Sequence, residues 1–411
     1  MNRKDFLVGC SAGLALFATT RMRLLAAPLL HSSDQDHVFI VLFLRGGCDG
    51  LHLVGPTASA MYQDARPAHL KVAASGRNQG HALSNAMADL DFRLHHEAGG
   101  LHDLYTEGDL AILHACGLQN GTRSHFVAMD LIERGLQRKA GAQGGWMSRY
   151  FSDARAYDGV LPAVCTSGAM PQAMADFGRS VSIRDLENFD LIDFVRKPEL
   201  LRKWYGEGDL LGKTAQTTLN TISQIKAEVA RNGDPGKGRG YPTDGPGEEL
   251  GKALRTMARL IKMNVGMRVG QVDFGGWDTH EHQQFHFPQR VKALSRAVTA
   301  FYEDIAGHRD QVTVLVMSEF GRRLRANRSD GTDHGYGNMM MVLGGKVKGG
   351  RMYGDWPGLA PENLDKGVDL AITTDYRSVI GEILMRRMGL EQLDSVFPGF
   401  DRYAAKGFLA D

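Results

Sequence analysis

The 411-residue sequence has little that would commit it to a specialised class of protein. Its 48 Lys+Arg and 47 Asp+Glu leave a net charge of +1, and no basic stripe supplies the electrostatic footprint of nucleic-acid binding. There are four cysteines. Cys10 falls in an amino-terminal leader, and Cys48, Cys116 and Cys165 show no C-x-x-C spacing. That excludes a zinc knuckle or a disulfide framework and leaves room for at most one bridge. No apolar run is long enough for a stable transmembrane anchor. Gly206-Glu207-Gly208 does not follow a strand, and the chain has no Walker loop, G-x-S-x-G elbow or H-E-x-x-H, so nucleotide-binding, α/β-hydrolase and zincin signatures are missing.

What is present suits a globular protein, with 43% hydrophobic residues to build a core. Residues 1–28 read as a targeting segment: Arg3-Lys4 ahead of Phe6-Leu7, the apolar run Val8 to Ala18, then Leu24 to Pro28. They resemble a twin-arginine export signal with Lys4 in the second arginine's place; an ordinary secretory signal and an uncleaved tether are the alternatives. Cys10 precedes most of the apolar run, unlike a lipoprotein acceptor. The expected location is periplasmic or secreted, in a bacterium.

Beyond the leader, Val38 to Leu44 is a continuous apolar run with the character of a strand buried on both faces. Residues 57–100 suggest a long loop with short helices. Ala111 to Ala115 is a second strand, and Ser124 is placed to cap a helix running to Arg134 with its hydroxyl. Leu161 to Cys165 is a third strand, followed by a mainly helical stretch to about Arg231 and an exposed, mobile Gly/Pro-rich loop at 232–247. The helix from Glu248 to Met263 carries one apolar face. Strand Val269 to Phe274, helix Pro288 to Gly307, and strands Val312 to Met317 and Met339 to Leu343 follow, and Asp375 opens a last helix. The alternation predicts an α/β fold, an α/β/α sandwich with a mixed, mostly parallel sheet, as a single domain over 36–411.

Three clusters of acids and histidines follow strands, where open α/β sheets build their sites. Asp278-Thr279-His280-Glu281-His282 offers oxygen and nitrogen ligands suited to Zn²⁺ or Mn²⁺, with Mg²⁺ or Ca²⁺ as second choices. Asp333-His334 adds a second carboxylate and imidazole among Gly331, Gly335 and Gly337, which let backbone approach closely. Glu319 and Asp49 each follow a strand. The plainer readings are a capping Asp278 with surface histidines, a glycine-rich turn, and carboxylates paired with Arg322 or Arg45. Ser124 is a candidate nucleophile beside its plainer role as a cap, and Arg45 and Arg322 are candidates for contacting a substrate anion. Cys48 and Cys116, both following early strands, are candidates for the one bridge.

These clusters, with Leu44-Arg45-Gly46-Gly47-Cys48-Asp49-Gly50, Arg123-Ser124-His125-Phe126 and Val347-Lys348-Gly349-Gly350, resemble the domain-of-unknown-function 1501 family of exported bacterial proteins. That family is grouped with the alkaline phosphatase and sulfatase superfamily, which implies a sandwich with metals at the strand ends. The resemblance implies Asp49 as a first-strand metal acid, Ser124 as nucleophile, Asp278 with a following His in one metal site, Glu319 in the other, and His334 as a late ligand. The closer family's Asp-Thr-His favours His280, and the superfamily's Asp-x-x-x-His favours His282. Phe320 stands where the superfamily often has His, which implies a weakened or missing second metal site, and Cys48 stands where the family commonly has Asn. C-x-P-x-R is missing, since Cys165 is followed by Thr166-Ser167-Gly168, so a formylglycine sulfatase is not expected.

The leading expectation is an exported metal-dependent hydrolase of phosphate or related anionic esters, acting on a small ester or a surface polymer through Ser124 or a hydroxide generated at the metal. The competing expectation is a non-catalytic exported binding or assembly protein on the same sandwich, with a protein partner. A carbohydrate- or polymer-binding module is the third.

Overall fold

The structure, a computed structural model, describes residues 37–86, 88–119, 121–138, 144–153, 161–184, 186, 223, 226–227, 230 and 240–410. The leader expected at 1–28 and residues 232–239 of the Gly/Pro-rich loop lie outside the described residues, as does most of the stretch expected to be mainly helical up to 231; its described part at 166–184 holds turns and the strand Ser180–Ser182 instead of a helix.

In chain order the strands are β1 (Val38–Leu44), β2 (Val54–Pro56), β3 (His81–Ala82), β4 (Phe92–Leu94), β5 (Leu110–Gly117), β6 (Ala163–Cys165), β7 (Ser180–Ser182), β8 (Val269–Phe274), β9 (Val312–Met317), β10 (Asn338–Leu343), β11 (Met352–Tyr353) and β12 (Thr374–Asp375). Nine of them form the central sheet in the order β11-β5-β10-β9-β1-β8-β6-β7, with β12 also on β5. β1 lies between β8 and β9, parallel to both. β10 runs antiparallel to β9 and β5, and the other described pairings of this sheet are parallel.

The unbroken apolar sequence of β1 is explained by the layers on either side. Its side chains alternate between faces. Ile40, Leu42 and Leu44 join one core and Phe39, Val41 and Phe43 the other. Among the described residues the α-helices include α1 (Gly50–Leu53), α2 (Ala60–Ala65), α3 (Gly99–Thr106), α4 (His125–Glu133), α5 (Trp146–Asp153), α6 (Glu248–Lys262), α7 (Gln283–Asp304) and α8 (Tyr376–Arg387). α3, α6 and α7 pack on the first face, and α4, α5 and α8 on the second. This is the mixed, mostly parallel α/β/α sandwich expected. No helix among the described residues is long and apolar enough to cross a membrane.

Three expectations are corrected. Residues 57–100, read as a loop with short helices, also contribute β3 and β4 to a small antiparallel sheet, β2-β4-β3, whose strands of two or three residues are too short for alternation to show. α7 begins at Gln283, with Pro288 inside it, because backbone N–H groups of His282 and Gln283 are taken by Ser329 and Asp330 carbonyls and start the helix early. Cys48 and Cys116 do not pair: all three described cysteines are free and buried. β9 and β10 separate β1 from β5, and three strand spacings amount to about 14 Å, twice the reach of a disulfide at about 7 Å.

The topology brings four loops to one edge, the one between Met317 and Asn338 by both its ends. β1, β8 and β9 are parallel and end there. β10, running the other way, begins there, and β5, antiparallel to β10, ends there. The segments after Leu44, Gly117, Phe274 and Met317 and before Asn338 therefore face one another.

Candidate metal centre

Four side chains from three of those segments converge. His334 Nε2 lies 2.9 Å from His125 Nε2, 2.8 Å from His280 Nε2 and 3.1 Å from Asp278 Oδ1. Asp278 Oδ1 lies 3.1 Å from His280 Nε2 and 3.4 Å from His125 Nε2. Ligand atoms of His125, Asp278 and His334 lie within 4.8 Å of one another.

The other ring nitrogen of each histidine is bound to an acceptor: His125 Nδ1 to Glu319 Oε1 at 2.8 Å, His280 Nδ1 to Asp333 Oδ1 at 3.2 Å, and His334 Nδ1 to the Arg123 carbonyl at 2.8 Å. A neutral imidazole has one N–H and one lone pair. With each N–H on Nδ1, the His334 Nε2 lone pair faces those of His125 and His280 and the Asp278 carboxylate oxygen at hydrogen-bond distance with no proton between them. Only a positive charge makes that arrangement favourable, and a divalent cation fits it. Ligands about 2.0–2.1 Å from a tetrahedral centre stand about 3.3 Å apart, close to the 2.9–3.4 Å separations among His125, Asp278 and His334; His280 lies beside His334 and Asp278 but outside that mutually close set. Carboxylate and carbonyl partners behind the imidazoles are the usual support of such ligands.

The surroundings set the charges. Burial pushes Asp278 toward protonation, but the Arg322 hydrogen bond at 2.5 Å and its charge outweigh this and hold the carboxyl at about 2. The Glu319 hydrogen bond raises the pKa of His125 against its burial, whereas burial lowers that of His334. Burial would likewise raise Glu319, but His125 and backbone N–H groups of the Gly46-Gly47 turn keep it below the usual range. The Asn327 side chain, then His280, lowers Asp333. Close backbone approach builds the walls: a Cβ on Gly331 would lie 2.2 Å from the His280 carbonyl oxygen, and one on Gly335 2.3 Å from Arg322 backbone.

The structure distributes the sequence candidates unevenly. Asp278, His280 and His334 meet, while His282 is exposed, in the left-handed region at φ 50° at the start of α7. Asp333 stands behind His280, and Glu319, with a fully buried side chain, behind His125. Asp49 is buried and held by Arg66 through two hydrogen bonds of 2.7 and 3.0 Å, with Gln283 adding a third at 2.8 Å. Ser124 precedes His125 and is exposed, and it makes no side-chain capping bond to α4, which corrects the expected cap. Arg322 is not placed to take a substrate anion. Its side chain is fully buried, and it donates to Gly46, Gly47, Trp277 and Thr332 carbonyls and to Asp278. Arg45 pairs with Asp273 at 2.9 Å and Glu133 at 2.5 Å.

His125 is the member that sequence reasoning missed, although it lies in the Arg123 to Phe126 motif. The signal was its place, directly after a strand-end loop and at a helix start on the same sheet edge.

None of the curated proteins matches the chain. Among solved structures, an alkaline phosphatase superfamily protein from Vibrio parahaemolyticus is similar at 11% identity, covering 82% of this chain and 69% of that one, with a TM-score of 0.35. Ps i-CgsB in complex with k-i-k-neocarrahexaose is similar at 8% identity over 89% of this chain and 75% of that one, with a TM-score of 0.40. The lipoteichoic acid synthase LtaP from Listeria monocytogenes is similar at 8% identity over 81% and 71%, with a TM-score of 0.29. Likenesses this distant leave the chemistry to be argued from the residues themselves. The model of the family described as "protein of unknown function (DUF1501)" matches residues 187–397, just over half of the 411 residues, and the chain belongs to that family.

Proposed function

We propose that the protein is an exported, metal-dependent hydrolase of phosphate or related anionic esters. The observation that carries the reading is the convergence of the His125, His334 and Asp278 ligand atoms, with His280 Nε2 beside the last two and each imidazole held from behind by an acceptor. A divalent cation at that point supplies Lewis acidity, polarising an ester oxygen and making a nearby oxygen nucleophile more acidic. Zn²⁺ or Mn²⁺ suits the nitrogen-rich set best. Ser124 is the nucleophile in this reading. Its hydroxyl is exposed and makes no capping bond, it adjoins His125, and the amino terminus of α4 favours an anionic substrate there. Asp278 stays ionised because Arg322 holds it so, and Glu319 and Asp333 keep the His125 and His280 rings turned toward the cation.

A second reading has its own support. If His280 joins His125, Asp278 and His334 on one cation, four protein ligands give the closed number of a structural site, whereas catalytic sites keep a position open. Phe320 packs at 4.8 Å against His125 and 4.9 Å against His334. On that reading the chain is a binding or assembly protein with a structural cation.

Replacing Asp278 or His334 by Ala should lower Zn²⁺ affinity by about 10–100-fold or more, whereas Ser124→Ala should keep the metal and lose turnover of aryl phosphates. Titration with a competing chelator beside a phosphomonoester and phosphodiester screen reads both. Full metal retention in Asp278→Ala would refute the centre, and turnover intact in Ser124→Ala would remove Ser124 from its role.

Export, and with it residues 1–28 as a signal ahead of a single unit over 36–411, rests on the Arg3-Lys4 pair before the apolar run. Changing both residues to Gln should trap the precursor in the cytoplasm. Unchanged yield outside it would show that this pair does not direct a twin-arginine route.

A further inference from the structure

The geometry points to Arg123 and Asp369 as a strut that sets the position and ring tautomer of His334, which makes them positioning residues of the metal centre; this rests on the reading of that centre given above. His334 Nδ1 donates to the Arg123 carbonyl at 2.8 Å. Arg123 belongs to the segment that also carries His125, so one short stretch supplies one member of the cluster and holds another. What holds that stretch is the Arg123 side chain, whose guanidinium pairs with Asp369.

Asp369 is a firm anchor. Its side chain is fully buried while that of Arg123 is 33% exposed, and its Oδ1 has no hydrogen-bond partner among the described residues; Arg123, ahead of the Arg323 charge, is the main cation set against its burial. Removing one partner of a buried pair leaves an uncompensated charge. The turn around Asp369 also grips both flanks of His334. The Val368 carbonyl accepts from Leu324 N at 3.2 Å and the Leu370 carbonyl from Gly337 N at 2.8 Å, while Arg322 and His334 form a backbone bridge. The Arg123 carbonyl is thus fixed relative to the loop that presents His334. That fixes the proton on Nδ1 and the lone pair on Nε2, the form a cation needs.

The test uses the full chain and Zn²⁺, read by competition with a chromogenic chelator, beside thermal unfolding of the metal-free protein and ¹⁵N shifts of the His334 ring. Asp369→Asn should lower Zn²⁺ affinity roughly 10–100-fold at temperatures where the metal-free variant is fully folded, and should move the ring shifts toward mixed tautomers. Arg123→Lys, which keeps the cation, should restore most of the affinity. The double variant Arg123→Met, Asp369→Leu leaves no unpaired buried charge, so it decides the matter should the single variant not fold; it too should bind Zn²⁺ weakly. A lower melting temperature with unchanged affinity and ring shifts would overturn the strut. His334→Ala separates the two levels: loss of metal there with none in Asp369→Asn removes the strut alone, and no loss in either removes the centre as well.

Discussion

Asp49 and Glu319 follow strands at the same edge as the metal cluster, and each is fully hydrogen-bonded from within the protein. Arg66 binds both oxygens of Asp49 with side-chain exposure of 0% on both partners, a planar bidentate match that delivers a full positive charge. Glu319 accepts from Gly46 N, His125 Nδ1 and the Ser318 hydroxyl. Neither carboxylate has an open face for a second cation, and Phe320 fills the space beside His125 and His334. Metal analysis of the purified protein should therefore give one ion per chain. Arg66→Ala should cost about 3–5 kcal/mol, the usual consequence of stranding a buried charge, and urea unfolding in the presence and absence of Asp49→Asn measures it. If Arg66→Ala is no more harmful alone than with Asp49→Asn, the lost pairing with Asp49 is not what makes Arg66→Ala costly.

At the scale of elements the sandwich was legible wherever burial is uniform. β1, β8 and β9 show their buried apolar character directly, because a parallel strand covered on both faces has no polar side to interrupt the run. α6 was legible from one apolar face packed on the sheet. Where the outcome depends on partners distant in sequence, local pattern failed. The start of α7 is fixed by carbonyls some 45 residues ahead, at Ser329 and Asp330, and the strands of the small sheet are shorter than any period. The site divides the same way. Asp278 and His334 announce themselves by residue type and by glycines around them. Glu319 and Asp333 carry the same chemistry as ligands in sequence, yet the fold turns them to the backs of His125 and His280. Only the order β5-β10-β9-β1-β8 brings His125 to the others, and strand order is a long-range property that local periodicity does not encode.

The whole molecule buries several imidazoles as neutral groups, and this fixes how its stability responds to acid. Burial, then the charges of Arg387 and Arg268, lowers the pKa of His37 to about 3. Burial lowers His114 to about 3 and, with His52 and His96 nearby, His95 to about 2, and it pulls His52 well below its ordinary value. As pH falls below about 6.5, the unfolded chain takes up a proton at each of these sites and the folded chain does not. The unfolded state then binds more protons, so stability falls with falling pH, by up to about 1.4 kcal/mol per pH unit for each such histidine. His125 acts in the opposite sense, since Glu319 raises its pKa, but it is one group against these four, with His96 and His334 lowered as well. Asp278, held at about 2, withdraws its contribution only below about pH 4. Urea unfolding of EDTA-treated protein should therefore show stability level above pH 7 and declining from pH 6.5 to 4.5, before the carboxylates titrate. His114 packs against the Phe92 and Trp356 rings, so His114→Phe keeps an aromatic there and should reduce the slope by about one proton's worth. A decline that begins only below pH 4.5, or a slope unaltered in His114→Phe, would show that these buried imidazoles do not govern the acid limb.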